Sequence, residues 1–545
     1  MKISLVYAVL CALMGCLGLP ATAWTATYYV CTNGNNSADG LCWATAKLSI
    51  HAAVQAASTA GDTVILSNGT YVLTNTVNIA QAITVRSVEN DFSTVLISGG
   101  GTYRGFYVTA AATLQGLTIS NCVGSGSGVH GGGVRMTAAG FVTNCLFVDN
   151  LASGAGCWGG GLGLTAAARV SSCFFVTNQV DNRGGGGVFS TIPFTLENCV
   201  FSNNVINGSG GYGGGGVALY PAVSHSTTMV VWRCSFLDNV TTGGSGAGFY
   251  SDANAGYSHF ITLDECTFQG NICSTGSGGA VTLYVSSSTT TVRRCTFVAN
   301  QGYIGGGLYG LGTTFIEDSL FATNMSRKPT ALSGHAPGAI YMTDGRVDRC
   351  RIFHNTATRH GGGIVIVGKG VARNCLVVGN EAGQFGGGIF VNGTAPYPQV
   401  QNCTVMYNKG GTGGGINLYS DGGVTNVICA SNSAPAGTNI YYYGAFGTVA
   451  YSCVGEMPPV ARDGGGNFVA HPLLAGPGTG MGTNHVLGTS YELAGNSPCL
   501  NKGTNLDWMT SATDLAGQSR IHGSSVDLGA YEFVRNLSAV FIQIL

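Results

Sequence analysis

Charged residues are scarce in this sequence. Lysine and arginine number 23 and aspartate and glutamate 24 among 545 residues, so 9% of the chain is charged and the net charge is −1. This balance excludes the basic surface that nucleic acids require, and we expect no nucleic-acid partner. After the N-terminus no stretch reaches 18 unbroken apolar residues, so no transmembrane helix is expected. Helix formers are also few, whereas glycine occurs 88 times, which excludes helical repeats.

The N-terminus carries the pattern of an export signal. Lys2 precedes an apolar run over residues 3–19 and a small-residue cleavage site that ends at Ala23. We expect residues 1–23 to be a signal peptide, and the mature protein to be secreted, extracellular or on the outer surface of a bacterial cell. A lipoprotein signal with Cys16 as the lipidated residue is the alternative.

A repeat of about 29 residues dominates the chain from Gly131 to about residue 432. Each unit holds a glycine run followed by the pattern Cys-x-Phe-x-x-Asn, and residues at the same place in successive units form a column. The three main columns are Cys145, Cys173, Cys199, Cys234, Cys266, Cys295, Ser319, Cys350, Cys375 and Cys403; Phe147, Phe175, Phe201, Phe236, Phe268, Phe297, Phe321, Ile352, Val377 and Val405; and Asn150, Asn178, Asn204, Asn239, Asn271, Asn300, Asn324, Asn355, Asn380 and Asn408.

This repeat predicts an all-β fold, a right-handed parallel β-helix solenoid of roughly 12 to 14 coils. Cysteine and phenylalanine two residues apart point to one face of a strand, and the segments after the glycine runs alternate in the same way. Parallel crossovers are overwhelmingly right-handed. We expect an N-terminal capping helix over 47–58, with Ile50, Ala53, Val54 and Ala57 on its apolar face, and a C-terminal cap.

The columns have structural interpretations. Cysteine and phenylalanine are expected to stack inside the core, with the thiols free, because successive coils are too far apart for a disulfide. Each asparagine is expected to adopt a left-handed backbone at a bend and to bond the asparagine of the next coil. The glycine runs indicate a turn with positive φ or close backbone approach. Cys31 and Cys42 lie outside the columns and are the expected disulfide pair.

The chain divides into a signal peptide (1–23), an N-terminal lead-in and cap (24–60), the β-helix repeats (61–455) and a C-terminal cap (456–545). Residues 28–30, the turn at 33–37, the capping helix and the segments at 61–66 and 69–73 together resemble the start of pectate-lyase-like β-helix proteins. The resemblance covers about fifty residues and implies the fold rather than a chemistry.

Two further resemblances concern the repeats and the C-terminus. The units resemble those of the chlamydial polymorphic membrane proteins, because seven of them keep Phe-x-x-Asn from Phe147 to Phe321. Those proteins are surface adhesins that end in a membrane β-barrel, whereas only about 90 residues follow residue 455 here, too few for such a barrel. Residues 496–503, 514–517, Arg520 and 526–532 resemble the choice-of-anchor Q module of secreted β-helix proteins, and we interpret them as a cap.

Charged residues directly before the cysteine column are the candidates for chemistry. Their signs alternate from coil to coil, as in Arg294, Asp318 and Arg349, which favours a ladder of solvated ion pairs. The alternative is a catalytic patch on a long outer face, with a carboxylate acid/base pair or an arginine-assisted lyase. Its candidate residues are Glu317, Asp318, Asp348, Arg349 and Arg351, with Arg294 and Arg373 as further cations for a lyase.

Other candidate residues are weaker. His354, Arg359 and His360 follow one unit, close to Arg349, and are either solvated loop residues or additional members of that patch. No histidine spacing indicates zinc and no run of acids indicates calcium, so no metal or cofactor is expected. The aromatic stretch at 441–443 either stacks on sugar rings or closes the core.

The leading interpretation is a non-catalytic, adhesin-like protein that binds a polysaccharide, a cell-surface glycan or another surface through its long face. The alternative is a polysaccharide lyase or glycoside hydrolase, and the third is a structural coat protein. If the protein is an enzyme, we expect a groove with an unpaired carboxylate or arginine. If it is a binding protein, we expect a flat face with exposed aromatic rings. If it is a coat protein, we expect every charge to be paired. The sequence leaves the sugar and the oligomeric state open.

Overall fold

The protein winds into a parallel β-helix whose coils each contribute up to four short strands. The structure, a computed structural model, describes residues 25–128, 130–208, 212–221, 227–252, 259–332, 334–393, 395–444 and 447–534. The expected signal peptide lies outside these residues. We number the ladders of stacked strands by their order within one coil, beginning after the glycine run. The predicted right-handed parallel β-helix, with little helix, is confirmed.

The first ladder follows the glycine runs and the second ladder precedes the cysteine column. The first ladder contains Val77–Ile79, Phe106–Val108, Val134–Met136, Leu162–Leu164, Val188–Ser190, Val217–Leu219, Phe249–Asp252, Ile364–Val367, Ile389–Asn392, Ile416–Leu418 and Ile440–Tyr442. The second contains Thr27–Val30, Thr63–Leu66, Thr84–Ser87, Thr113–Gln115, Phe141–Thr143, Arg169–Ser171, Thr195–Glu197, Thr227–Trp232, His259–Asp264, Val371–Arg373, Gln399–Gln401, Gly423–Thr425 and Thr448–Ala450. Three long strands, Val281–Arg293, Leu308–Glu317 and Ile340–Asp348, belong to both ladders.

The third ladder follows the cysteine column and the fourth follows the asparagine column. The third contains Gly69–Val72, Val95–Ser98, Thr118–Ser120, Leu146–Val148, Phe174–Val176, Val200–Ser202, Ser235–Leu237, Thr267–Gln269, Thr296–Val298, Leu320–Ala322, Arg351–Phe353, Leu376–Val378, Thr404–Met406, Ile428–Ala430, Cys453–Val454 and Phe468–Val469. The fourth contains Val123–Ser125, Leu151–Ser153, Gln179–Val180, Val205–Ile206, Val240–Thr241, Ile272–Cys273, Gln301–Gly302, Met325–Ser326, Thr356–Ala357, Glu381–Phe385 and Lys409–Thr412.

The core is filled by columns of like residues, as predicted. Six successive phenylalanine pairs from Phe147 to Phe321 stack with ring centroids 4.4–5.0 Å apart. The thiols of the cysteine column are buried and free. Where Ser319 replaces cysteine, its hydroxyl accepts a hydrogen bond from the backbone N–H of Cys295 at 3.1 Å. The cysteine column therefore acts as a set of small buried side chains rather than as cross-links.

The asparagine column forms one continuous hydrogen-bonded ladder. The Nδ2 of Asn271 donates to Oδ1 of Asn300 at 2.8 Å and to the carbonyl of Phe236 at 2.8 Å, while its Oδ1 accepts from the backbone and side-chain nitrogens of Asn239. The predicted bond between successive asparagines is confirmed. The predicted left-handed backbone is displaced by one residue, because the positive φ belongs to the residue before each asparagine, such as Asp149 (φ 55°). That bend turns the amide inward.

The glycine runs meet both requirements expected of them. Gly131 has φ of 76°, a conformation that side chains with a Cβ rarely adopt. A Cβ on Gly132 would lie 2.3 Å from the carbonyl oxygen of Leu151, and one on Gly133 would lie 2.6 Å from that of Gly161. The backbones of successive coils press together at these turns, which favours glycine and leaves room for no side chain larger than that of alanine, as at Ala247, Ala280 and Ala339.

The N-terminal end is closed by the predicted helix, which runs from Ile50 to Ala56, shorter than expected. Ser49 caps it by accepting a hydrogen bond from the Ala52 N–H, and the four residues of its expected apolar face are buried. The predicted disulfide between Cys31 and Cys42 is wrong, since both thiols are free. Hydrogen bonds hold this segment instead, because the side chain of Asn36 accepts the backbone N–H groups of Leu48 and Ser49.

The C-terminal segment covers the last coils from the side. It contains the antiparallel hairpin Leu474–Thr479 and Val486–Leu493, and the 3₁₀ turns Val460–Arg462, Gly482–Asn484 and Asp507–Met509, whereas Trp43–Thr45 is a 3₁₀ turn near the N-terminus. Its apolar residues pack on outward positions of the third ladder, including Leu376, Met406 and Ile428. Arg520 and Glu532 form a fully buried ion pair at 2.8 Å inside it, which fits the interpretation of this motif as a structural cap. In the part of the chain that the structure describes, no helix has the length and apolarity needed to cross a membrane.

Removing one amide from the asparagine ladder should destabilise the folded protein. We expect Asn271→Ala to lower the free energy of unfolding by about 3 kcal/mol, because several buried hydrogen-bonding groups lose their partner at once. Chemical denaturation measures this change. The control is Asn203→Gly, at an exposed residue whose φ of 54° suits glycine, for which a change of less than about 0.5 kcal/mol is expected. Equal losses in both variants would contradict a stabilising ladder.

Candidate functional site

The charged candidates lie at the bend between the second and third ladders. The last residues of the second-ladder strands stack in register from Glu197 through Asp264 and Glu317 to Arg373. The next residue in each coil has a positive φ, for example 50° at Asp318 and 48° at Arg349. The last residues of the strands and the residues that follow them are therefore both repeated at the strand spacing. This spacing brings the charges of neighbouring coils within reach of each other.

Ion pairs between coils occupy these charges. Arg233 Nε lies 2.7 Å from Glu265 Oε2, and Arg349 Nε lies 2.7 Å from Asp318 Oδ1. Glu317 pairs with Arg346, a residue that the sequence analysis did not single out. The alternation of signs thus builds an ion-pair ladder. Arg346 was missed because it lies two residues before Asp348 in the same strand, outside the alternating columns.

Asp348 is the centre of the network rather than a free acid. Its side chain is 1% exposed, and its Oδ2 lies 3.3 Å from Arg346, 3.2 Å from Arg349 and 2.9 Å from Arg373. Asn374 Nδ2 donates to its Oδ1 at 3.0 Å. These donors and its burial engage the carboxylate within the protein, so it is not presented to a substrate.

The C-terminal segment covers one side of this patch. The guanidinium of Arg373 lies 4.3 Å from the ring centroid of Trp508, and Asn374 Nδ2 donates to the carbonyl oxygen of Thr513 at 3.3 Å. Arg351 lies apart from the network, at the start of a third-ladder strand, in a shallow pocket that it shares with Tyr491 and Tyr531. The structure thus brings Glu317, Asp318, Asp348 and Arg349 together and leaves Arg351 out.

A second feature, missed by the sequence analysis, runs along the outer face of the first ladder. Because Val134 and Met136 point into the core, the residue between them points outward, and in later coils this position is often aromatic. Rings from the strand ends and from the turns before the glycine runs join it. We call this row the aromatic stripe, and it consists of Tyr107, His130, Trp158, Phe189, Tyr212, Tyr220, Tyr250, Tyr284, Tyr309, Tyr341, His335, His360, Phe385, Phe390, Tyr419 and Tyr443.

Neighbouring rings in the stripe are in contact over most of its length. Trp158 stacks on Phe189 at 4.3 Å between centroids, and Tyr309 stacks on Tyr341 at 4.4 Å. At the C-terminal end Tyr419 and Tyr443 are parallel within 3° at 4.6 Å, and Tyr443 is 62% exposed. Of the alternatives for the stretch at 441–443, Tyr442 packs against the core, while Tyr443 extends the stripe and its stacking on sugar rings stays a prediction.

Cations accompany the stripe without carboxylate partners. Arg183 lies over Trp158 and Tyr212 at 5.4 and 5.0 Å, and Arg135 lies over Tyr107 at 5.3 Å. Among the described residues, these two arginines and Arg104, Lys328 and Arg359 have no acidic group within ion-pair distance. The two faces of the solenoid thus differ, since the arginines of the second-ladder bend are paired with acids and the cations of the stripe are not.

Histidines within the stripe are held neutral. Burial, together with the nearby guanidinium groups of Arg135 and Arg104, lowers the pKa of His130 to about 4. Burial likewise lowers the pKa of His335 and of His360 to about 4, with Arg359 as an additional cause in both cases. Within the described residues, no group of three or more histidine, cysteine, aspartate or glutamate side chains is arranged to hold a metal ion.

Comparison with known proteins assigns this chain to no family. No model of a protein family matches the sequence, and no protein of curated function matches it. Among solved structures, a rhamnogalacturonan lyase is 14% identical with a TM-score of 0.23, over 69% of this chain and 87% of its own. A mannuronic acid specific polysaccharide family 6 lyase from human gut microbiota is 13% identical with a TM-score of 0.29, over 67% and 81%.

Similarity at this level carries no argument about activity. The resemblances of the repeats to polymorphic membrane proteins and of the C-terminus to the choice-of-anchor Q module also stay predictions, since no family model matches. The function must therefore be inferred from the side chains of this chain.

The ion-pair network makes a stability prediction. We expect Asp348→Ala to lower the free energy of unfolding by about 3 kcal/mol, because the three arginines lose the carboxylate they share. Glu197→Ala breaks a single pair with Arg169, whose side chain is 54% exposed, and should cost less than about 1 kcal/mol. Denaturant titration of the two variants tests the difference, and a mild effect at Asp348 would speak against the network.

The buried histidines predict a dependence of stability on pH. His130 has a folded pKa of about 4, below its ordinary value of 6.5, so unfolding takes up a proton in the range between them. Its contribution is complete above pH 6.5 and is lost as the pH falls towards 4. We expect His130→Phe, which keeps the ring stack on Phe189, to lose less stability than the wild type between pH 7 and 5.

Denaturation midpoints at several pH values measure this slope. His522→Asn changes an exposed histidine and serves as the control, with the slope of the wild type. If His130→Phe followed the wild-type slope as well, the assignment of a depressed pKa to His130 would be wrong.

Proposed function

We propose that this protein is exported and binds an extended polysaccharide along the aromatic stripe without cleaving it. The observation that carries the proposal is the row of aromatic rings along the outer side of the first ladder. In this row Tyr309, Tyr341 and Tyr419 are half-buried and Tyr443 is exposed at one end, whereas Trp158, Phe189, Tyr250 and Phe390 are buried beneath their neighbours. Aromatic faces supply large, rigid contact areas for the apolar faces of sugar rings. Polar tips on the tyrosines can bond sugar hydroxyl groups at the same time.

The dimensions of the stripe favour a linear polymer. It follows the first ladder from Phe106–Val108 to Ile440–Tyr442, and at about 4.8 Å per coil this length is roughly 58 Å. A ligand that used the whole stripe would have to be long and regular, as a polysaccharide chain is. Small-molecule sites are instead concave and enclose most of their ligand.

Binding without cleavage is favoured by the state of the acidic candidates. A glycosidase requires two carboxyl groups free to act on the scissile bond, and a lyase requires a base. Glu317, Asp318 and Asp348 are each engaged by arginine, and Asp348 is buried. A coat protein is disfavoured by a different observation, because the cations of the stripe lack acidic partners.

The cellular context belongs to the same proposal. A signal peptide over 1–23 would place the mature chain outside the cytoplasm, where a polysaccharide or cell-surface glycan is available. An adhesin-like role at the outer cell surface or in the extracellular space follows from export combined with glycan binding.

The test combines a binding assay with an assay for cleavage. The purified mature protein is titrated with acidic and neutral polysaccharides in a calorimeter, while new reducing ends and unsaturated uronate absorbance are followed in the same samples. We expect binding without product. Tyr419→Ala/Tyr443→Ala should weaken binding about tenfold, because each ring in a stacking contact contributes roughly 0.5–1.5 kcal/mol.

A matched control removes exposed rings elsewhere. Phe141→Ala/Phe260→Ala deletes two aromatic side chains, 54% and 49% exposed, from the second ladder and should leave the affinity unchanged. Product that disappears in Asp318→Ala/Asp348→Ala would make the protein an enzyme and overturn the proposal. Neither product nor binding to any polysaccharide would favour the coat protein.

A further inference from the structure

Arg359 is a buried cation without an anion. Arg359 is 8% exposed, and its Nε and Nη1 atoms are buried with no hydrogen-bond partner. Among the described residues no carboxylate lies within ion-pair distance of it. A buried guanidinium with unpaired donors destabilises the folded protein, so a ligand that pairs with it would stabilise the fold.

Other nitrogen donors surround Arg359. His360 follows Arg359 in the chain, His335 bonds His360, and the carbonyl oxygen of Lys328 accepts a hydrogen bond from Thr358, next to Arg359. After burial, the charge of Arg359 also lowers the pKa of His335, His360 and Lys328. Lys328 and His335 are half-buried residues of the segment that joins a fourth-ladder strand to the next first-ladder strand, and they connect the buried guanidinium to the surface. We call these four residues the Arg359 cluster.

Hydrogen bonds fix the orientation of the two imidazoles. Asn392 Nδ2 donates to His335 Nε2 at 3.0 Å, so the proton of neutral His335 is on Nδ1. That proton is donated to Nδ1 of His360 at 2.9 Å, which places the proton of His360 on Nε2. His360 Nε2 is buried and has no hydrogen-bond partner, although Gln384 lies beside it. The chain of hydrogen bonds therefore ends in a donor, close to Arg359.

The cluster is part of the aromatic stripe. The rings of His335 and His360 lie 4.9 and 4.8 Å from that of Phe390, which continues through Tyr419 to Tyr443. A polymer on the stripe would pass directly over the cluster. The donors present there, a planar guanidinium, an imidazole N–H and an ammonium group, suit a group with several anionic oxygens.

We infer that the Arg359 cluster is a subsite for a carboxylate or sulfate group carried by an acidic polysaccharide. This inference rests on the proposed function, since it names the class of polymer that the stripe selects. The negative group supplies the counter-charge that Arg359 lacks, and the neighbouring rings hold the sugar that bears it. Selectivity for acidic over neutral polymers then comes from this one position.

The affinity test uses polymers that share a backbone. The wild type is titrated with a polyuronate, with the same polymer after reduction of its carboxyl groups, and with a sulfated polysaccharide. We expect the charged polymers to bind roughly tenfold more tightly or better, with the preference falling as salt rises. Arg359→Met should bind the charged and the reduced polymer equally. Arg169→Met removes the same charge from the second ladder and should keep the preference.

A stability measurement gives an independent readout. Without ligand, Arg359→Met should raise the melting temperature, because it removes an unpaired buried charge and keeps the apolar part of the side chain. Inorganic sulfate, at matched ionic strength against chloride, should stabilise the wild type more than Arg359→Met. Lys328→Gln, at the half-buried rim, gives a second variant if Arg359→Met does not fold, and it too should lose part of the preference.

The outcomes separate this inference from the proposed function. Equal binding of the charged and reduced polymers by the wild type overturns the subsite and leaves the proposed function intact. No binding to any polymer overturns both. A preference that survives in both Arg359→Met and Lys328→Gln also overturns the subsite, since the selectivity would then come from elsewhere on the stripe.

Discussion

The spacing of about 4.8 Å between hydrogen-bonded strands is the constraint on which the rest of this structure depends. Every residue of one coil has its equivalent in the next coil at this distance, so only side chains that tolerate a copy of themselves can form a column. Phenylalanine rings satisfy it by stacking, asparagine amides by bonding end to end, and thiols by packing as small apolar groups. Charges satisfy it only by alternating in sign, as Asp318 and Arg349 do.

The same spacing produces two chemically different faces. At the bend before the cysteine column, one charged residue per coil is followed by one of opposite sign, and the ion pairs satisfy the face internally. On the first ladder, rings from three places in each coil meet and leave cations such as Arg183 with aromatic partners instead of acids. The charges of one face are therefore paired within the protein, whereas the cations of the other face have no acidic partner among the described residues.

Features that repeat with the coil could be predicted from the sequence, and features that depend on contacts outside the repeat could not. The asparagine column recurs at one place in every unit and the cysteine and phenylalanine columns in most units, so their stacking follows from periodicity alone. The aromatic stripe escaped because Phe189 comes from a strand, Trp158 from a turn and Tyr220 from a strand end, and no single column is consistently aromatic. The contacts of Arg373 and Asn374 with Trp508 and Thr513 escaped because they depend on the C-terminal segment, whose docking no repeat encodes. The sequence does contain apolar residues at outward positions of the third ladder, namely Leu376, Met406 and Ile428, and these could have indicated that another segment packs there.

The column of free thiols has a consequence for how the solenoid can be observed. The thiols of the column are buried, so a reagent cannot reach them while a coil is closed, and burial also raises the pKa of Cys350 and of Cys375 well above the ordinary value. Reaction with an alkylating reagent then requires that coil to open. Because the cysteines are spaced one per coil along most of the axis, each alkylated position identifies the coil that opened. Alkylation of these cysteines would therefore report, coil by coil, where the solenoid opens.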